Sequence, residues 1–181
     1  MAMGGEGTPL ESLKALRIVP LAISYEYDPC DFLKAKEFQQ KRDDAAFKKS
    51  RQDDLDNMQT GIMGYKGHIH YEAAPCINTW IDELADLPKA QFFTALAQRM
   101  DREIHRRYRL YPTNCIAADL LDGDGTFADR YTREDREAFE HYVAQRVALI
   151  DLPNKDEDYL RERILTMYAN PARNQRRALE A

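Results

Sequence analysis

An apolar run interrupted by one proline constrains the fold more than any other feature of this chain. Residues 16–29 read LRIVPLAISYEYDP, with apolar side chains from Ile18 to Ile23 on both sides of Pro20. A short continuous apolar run of this kind is typical of a strand covered on both faces. Proline has no N–H to donate, so it marks a bulge, an end or an edge of the sheet. The run therefore predicts a buried strand over 17–25, followed by an acidic turn.

A second segment predicts one more strand. Residues 67–77 read GHIHYEAAPCI, and the polar side chains His68, His70 and Glu72 alternate there with apolar ones. This period of two is typical of a half-exposed strand. Two histidines on one strand face are compatible with metal chelation. Because no third ligand follows at a suitable spacing, a polar surface face is the favoured interpretation.

Helical periodicity dominates the remaining chain. We expect a short helix over 9–16, a polar helical region from an N-cap at Asp31 to about Met58, and helices from Ile81 onward. The predicted fold class is α/β, with a small sheet remnant of about two strands and a mostly helical C-terminal half. The predicted organisation is a single domain over 1–181, with an α/β part at 1–80 and a helical part at 81–181.

Particular residues set the expected faces and ends of the later helices. Thr132 with Asp135 three residues on predicts a capping box, and Asn170-Pro171 is expected to end the last helix before a polar tail. The helix before Tyr111 should cover about six turns. The apolar residues at helical spacing are Phe93, Leu96, Ala97, Met100, Ile104 and Tyr108, and then Phe139, Val143 and Val147.

Composition excludes several classes of protein. A net charge of -5 and a pI of about 5.4 argue against a nucleic-acid binder. The mean hydropathy is -0.66, and no apolar run approaches the length of a membrane span. Residues 1–5 have neither the basic nor the apolar region of a secretory signal. The three cysteines are widely spaced, which predicts reduced thiols and a cytoplasmic protein.

A basic stretch and an acidic loop each leave a choice of interpretation. Residues 39–54 carry several lysines and arginines, which indicates a solvated helical hairpin or, alternatively, contacts with phosphate headgroups or a phosphopantetheine arm. The loop from Asp122 lacks the glycine and glutamate of a calcium-binding EF-hand, since Phe127 and Arg133 stand at those positions. We interpret that loop as a turn between helices.

Three segments carry a resemblance to a known family. The run through Val19 and Pro20 resembles the "V-P-h-h-h" strand (h is apolar), the fourth and last conserved block of the glycerolipid acyltransferase superfamily. The second strand resembles the following family strand, since Pro75 and Ile77 keep its ending. The segment that starts at Tyr111 resembles the helical extension of glycerol-3-phosphate acyltransferases. The resemblance covers residues 16–121, and the gap between the strands is longer than usual.

The resemblance implies acyl transfer from acyl-CoA or acyl carrier protein to glycerol-3-phosphate or 1-acylglycerol-3-phosphate, in phospholipid synthesis. It implies no cofactor or metal beyond the acyl donor, and it implies contact with that donor or with the inner membrane surface. In the family this strand lies beside the acyl and phosphate site. Val19 and Pro20 are therefore the expected substrate-binding residues.

The family's catalytic dyad, His-x-x-x-x-Asp, has no counterpart in this chain. The fifth residue after each histidine is Ala73, Pro75, Leu110 or Arg146. Without the carboxylate that orients the histidine base, no catalytic residue is predicted. Glu6-Gly7-Thr8 matches the start of the family's Glu-Gly-Thr-Arg phosphate block, but Pro9 replaces the arginine that would bind phosphate.

The sequence therefore leaves two functions open. The first is the C-terminal region of a glycerol-3-phosphate or 1-acylglycerol-3-phosphate acyltransferase-like protein, inactive alone. The alternative is a non-catalytic helical module that binds lipid or another protein. An apolar strand without neighbours tends to pair with another chain, so we expect a homo-oligomer. Its simplest form is a two-fold dimer built around 17–25 and the helix after Asp31.

Overall fold

A computed structural model describes residues 7–180, which form seven α-helices and two strands. The helices are α1 (Pro9–Leu16), α2 (Asp31–Asp43), α3 (Arg51–Met63), α4 (Lys89–His105), α5 (Pro112–Asp122), α6 (Arg133–Ala148) and α7 (Glu157–Glu180), and the strands are β1 (Leu21–Tyr25) and β2 (Ile69–Ala73). The predicted class, a small two-stranded sheet with a mostly helical chain, is confirmed. Glu6, the first residue of the phosphate-block lookalike, lies outside the described residues.

The two strands form an antiparallel ribbon. The Glu26 N–H donates to His68 O at 3.0 Å, and the Ala74 N–H donates to Pro20 O at 2.8 Å. These bonds set a register in which Ile23 lies opposite Tyr71.

Only one face of β1 is covered, so the expectation of cover on both faces was wrong. Ala22 and Ser24 are buried, whereas Leu21 and Ile23 are 45% and 40% exposed. On β2 the apolar side is exposed as well, at Tyr71. The described part of the chain has no further layer against this apolar face.

Contacts between residues divide the chain into two compact units. The first comprises residues 1–24, 70–109 and 174–181. Its core is formed by Ile77, Trp80 and Ile81, which pack against Phe92 and Leu96 of α4. Side chains of α1 cover this cluster at its edge. The covered face of the ribbon is fixed by Ser24, whose hydroxyl accepts the Arg109 N–H at 3.0 Å.

The second unit comprises residues 25–69 and 110–173 and has the larger core. Helices α5, α6 and α7 bury their apolar faces here, and the face of α6 is the predicted one, with Phe139, Val143 and Val147. Fully buried members of this core include Ile116, Ala117, Val143, Leu160, Ile164 and Ala169. Thr132 and Asp135 form the predicted capping box at the start of α6.

The polar region after Asp31 is two helices, separated by residues 44–50. Asp31 is the first residue of α2 and not its N-cap, so that expectation was wrong. Its carboxylate accepts the N–H of the next residue, Phe32, at 2.6 Å. Its remaining bonds reach residues far along the chain, and these bonds determine its position.

Two expectations for helix bounds and faces are corrected. The last helix continues through Pro171 to Glu180, because the buried residues Ala169 and Ala172 anchor it on both sides of the proline. Gln175 also donates to Tyr108 O. In α4, which ends at His105, Phe92 is buried while Phe93 is 41% exposed. Leu96 and Met100 pack into the core as predicted, but Phe92, and not Phe93, completes that face.

Candidate functional site

The segment expected to bind substrate lies at the start of the ribbon. Val19 is 51% exposed, so its side chain is accessible to a ligand. Pro20 is buried, and its carbonyl oxygen accepts the Ala74 N–H. Next to it, Ile18 O accepts the Ile77 N–H at 2.9 Å. The two strand segments that carry the family resemblance therefore lie side by side.

The most highly connected polar group is the carboxylate of Asp31, which is 0% exposed. Arg146 of α6 donates from Nε to Asp31 Oδ1 at 2.5 Å and from its terminal nitrogen to Pro29 O at 2.6 Å. The hydroxyls of Tyr142 and Tyr168 donate to Asp31 Oδ2 at 2.7 and 3.0 Å. The Arg146 guanidinium also lies 4.4 Å from the ring centroid of Phe32. This buried network joins α2, α6 and α7.

The chemistry of this network is structural. Burial, together with the nearby Asp31 charge, raises the pKa of both Tyr142 and Tyr168, so both phenols stay protonated as donors. Both oxygens of Asp31 already accept two hydrogen bonds each from protein groups. A carboxylate satisfied in this way and closed to solvent has no free position for a substrate.

Further buried polar side chains fix backbone segments in the same unit. Gln39 of α2 donates to Asn154 O at 2.6 Å and accepts the Asp156 N–H at 3.1 Å. Asn114 of α5 donates to Tyr168 O at 3.0 Å. Each bond ties a helix to a distant segment, because a buried polar group without a partner is costly.

His68 forms a pair with a carboxylate that the search for the family dyad missed. Its Nδ1 lies 2.7 Å from Glu26 Oε2, and the same oxygen accepts the His68 N–H at 2.9 Å. Glu26 precedes the histidine by 42 residues, so a fixed local spacing cannot find it. The His68 side chain is 82% exposed, and water competes for the imidazole. We infer a structural role for this pair, which holds the end of the ribbon together beside Gly67.

Most of the basic residues in 39–54 have carboxylate partners, in agreement with the solvated interpretation. Lys41 and Lys49 both bind Glu37, at 2.6 and 2.7 Å. Arg42 binds Asp156 at 2.7 Å. Lys41 also lines a groove of about 460 Å³. An anionic ligand there would have to displace existing ion pairs.

Residues 7–180 contain no cluster of metal ligands, and two of the three thiols are buried or half-buried without activation. Within that range no group of three His, Cys, Asp or Glu side chains could hold a metal ion. Burial raises the pKa of the Cys115 thiol to about 11 and also raises that of Cys30, so both are poor nucleophiles at neutral pH. None of the helices between residues 7 and 180 has the length and apolar character needed to cross a membrane.

Comparison with family models, with curated proteins and with solved structures finds no match. The function must therefore be argued from the residues and geometry above.

Proposed function

We propose that this chain is the C-terminal region of a glycerolipid acyltransferase-like protein of phospholipid synthesis, and that it does not catalyse acyl transfer alone. One observation carries the proposal: the proline segment of β1 and the segment after β2, which resemble consecutive family strands, are hydrogen-bonded neighbours. The exposed apolar face of this ribbon, including Ile23 and Tyr71, supports a further part of the protein that packs against it. A two-stranded ribbon alone is only marginally stable.

The missing chemistry follows from the reaction. An acceptor hydroxyl attacks the thioester carbonyl, a new ester bond forms, and the donor thiol leaves. A base must remove the hydroxyl proton within hydrogen-bond reach, and such catalysis contributes roughly two to four orders of magnitude. Asp31 is enclosed, and the exposed His68 is paired with Glu26 outside any enclosed site. We therefore expect that this chain alone does not transfer an acyl group to glycerol-3-phosphate.

Two measurements test this proposal. The coding DNA upstream of the Met1 codon should contain an in-frame His-x-x-x-x-Asp block; a stop codon directly before Met1 would count against the proposal. The purified chain, mixed with a long-chain acyl-CoA and glycerol-3-phosphate, should release thiol no faster than buffer. Clear turnover would show that it has its own base.

The proposed substrate contact is tested in the longer protein. Val19→Asp should lower kcat/KM at least about tenfold, since a buried charge beside an acyl chain is unfavourable. The matched control is Leu149→Asp, which changes another exposed apolar residue, 58% exposed, at the end of α6. Equal activities of the two variants would remove Val19 from the site. The same proposal implies a cytoplasmic protein that works at the inner membrane surface.

A non-catalytic interaction module remains the second candidate, and α3 favours it. This helix exposes a row of large apolar side chains, whereas its neighbour α2 is anchored in the core. An exposed apolar surface of this extent is typical of a protein contact.

A further inference from the structure

Helix α3 carries its apolar side chains on the side opposite to its own unit. Leu55, Met58 and Ile62 are 49%, 61% and 69% exposed. Their spacing of three and four residues places them in one row along the helix. The partly buried positions are the small or polar Asn57, Thr60 and Gly61. Asn57 O accepts a hydrogen bond from the Cys30 thiol at 3.3 Å, and a Cβ on Gly61 would lie 3.5 Å from the same sulfur.

This arrangement inverts the usual amphipathic pattern. No residue of α3 is buried, although the helix has only thirteen residues. Isolated helices of that length are marginal in water, and most helices in proteins are stabilised by packing their apolar face. The apolar face of α3 therefore has the character of a contact surface.

Further apolar side chains extend the exposed surface of α3. Met63 and Tyr65, which follow the row, are 79% and 77% exposed. Soluble monomers rarely leave large contiguous apolar surfaces open to water. A specific interface has an apolar centre within a polar rim. The row with Met63 and Tyr65 supplies such a centre, and the polar residues of α3 supply the rim.

The charges of α3 favour a protein partner over a membrane. Its first half carries Asp53, Asp54 and Asp56, against one cation, Arg51. Helices that lie in a membrane surface have lysine and arginine on the polar face instead. The carboxylates would repel anionic lipid headgroups.

The same charges fit a second copy of the helix in the antiparallel direction. Residues 57–66 carry no carboxylate and a single cation, Lys66, whose ammonium donates to Ile62 O and Gly64 O at 3.1 and 2.9 Å. Antiparallel packing brings the acidic first half of one copy alongside this second half of the other and opposes the two helix dipoles. Parallel packing would place the acidic halves together.

We propose that α3 is a self-association surface, through which two copies of this chain pack antiparallel about a two-fold axis near Met58. The row is symmetric enough for this, because Leu55 and Ile62 flank Met58 and face each other across the axis. The proposal is independent of the acyltransferase proposal. It differs from the dimer expected from the sequence, which used 17–25 and α2.

Sedimentation analysis of the purified chain from about 1 to 100 µM tests the surface. The wild type should form a dimer, and Met58→Asp should raise its dissociation constant at least about 30-fold. Ile62→Lys is the second variant, and circular dichroism checks that both fold. Leu149→Asp, outside the row, and Tyr71→Asp, on the ribbon, should remain dimeric. A monomer at all concentrations overturns the proposal, as does a dimer that only Tyr71→Asp dissociates.

The direction of packing has its own test. With Gln59→Cys, mild oxidation should give a covalent dimer, because this position lies close to its own copy at the axis. Leu55→Cys should not, since the antiparallel arrangement places it opposite Ile62. The wild type with its three native thiols is the control. Crosslinking of Leu55→Cys alone indicates parallel helices and contradicts the geometry.

Discussion

Helices α2 and α3 are consecutive and each has thirteen residues, yet only α2 is anchored in the core. α2 buries Asp31, Ala35 and Gln39, two of which are polar. α3 buries none and leaves Leu55, Met58 and Ile62 in solvent. The difference teaches that hydrogen-bond partners, and not side-chain hydropathy, decide which helix is anchored in this unit.

The largest effect is expected at Asp31. Asp31→Asn removes the charge that pairs with Arg146 and leaves a guanidinium without its carboxylate. Breaking a buried pair in this way costs about 3–5 kcal/mol of unfolding free energy. Urea unfolding should show this loss, while the exposed control Asp56→Asn on α3 stays within about 0.5 kcal/mol of wild type. Equal losses of unfolding free energy in the two variants would show that α2 is not anchored more firmly than α3.

Gln39 supplies the next effect. Gln39→Ala leaves Asn154 O and the Asp156 N–H without their side-chain partner, and each unsatisfied buried group costs about 1–3 kcal/mol. The matched control is Gln59→Ala on α3, whose side chain is exposed. We expect the midpoint of urea unfolding to fall for Gln39→Ala only. Unchanged stability in both variants would mean that water replaces the buried bonds.

A smaller effect is expected when α3 loses apolar surface. Ile62→Ala should change the unfolding free energy of the dilute protein by no more than about 0.5 kcal/mol. The comparison variant is Ile164→Ala on α7. Ile164 is 0% exposed, so this truncation should lower the unfolding free energy by about 2–5 kcal/mol. A large loss for Ile62→Ala would place that side chain in the folded core of the monomer.

The smallest effect concerns thiol reactivity. A raised pKa means less thiolate at pH 8, so iodoacetamide should label Cys30 and Cys115 slowly. The half-buried Cys30 thiol donates to Asn57 O of α3, a helix without buried residues, so Cys30 should react first by local opening. Cys115 is 2% exposed in the core and should react only on global unfolding. Mass spectrometry of timed samples separates the two; identical rates would argue against local opening of α3.

Local sequence signals predicted the elements that depend on neighbouring residues. Thr132 and Asp135 cap α6 as expected, and Phe139, Val143 and Val147 form its inner face. These features follow from capping chemistry and helical spacing. The strand predicted over 17–25 is shorter, because β1 begins at Leu21, directly after Pro20. Of the three roles that the sequence allowed for Pro20, the structure shows the strand end.

Long-range partners account for what the sequence did not predict. Asp31 looked like a helix cap, but Arg146, its partner, lies 115 residues further along the chain. The exposed apolar row of α3 was not predicted, because it lies in a mostly polar region. The helical spacing of Leu55, Met58 and Ile62 would have indicated it. Val19 and Pro20 remain predictions, because their assignment rests on the family resemblance alone.

Hydrogen–deuterium exchange at two protein concentrations, above and below the dissociation constant from sedimentation, tests the central contrast most directly. The amides of α2 should be strongly protected at both concentrations, because the Asp31 network holds this helix inside each copy. The amides of α3 should be protected at the higher concentration and exchange much faster on dilution. Protection of α3 that equals that of α2 and does not change on dilution would contradict the account.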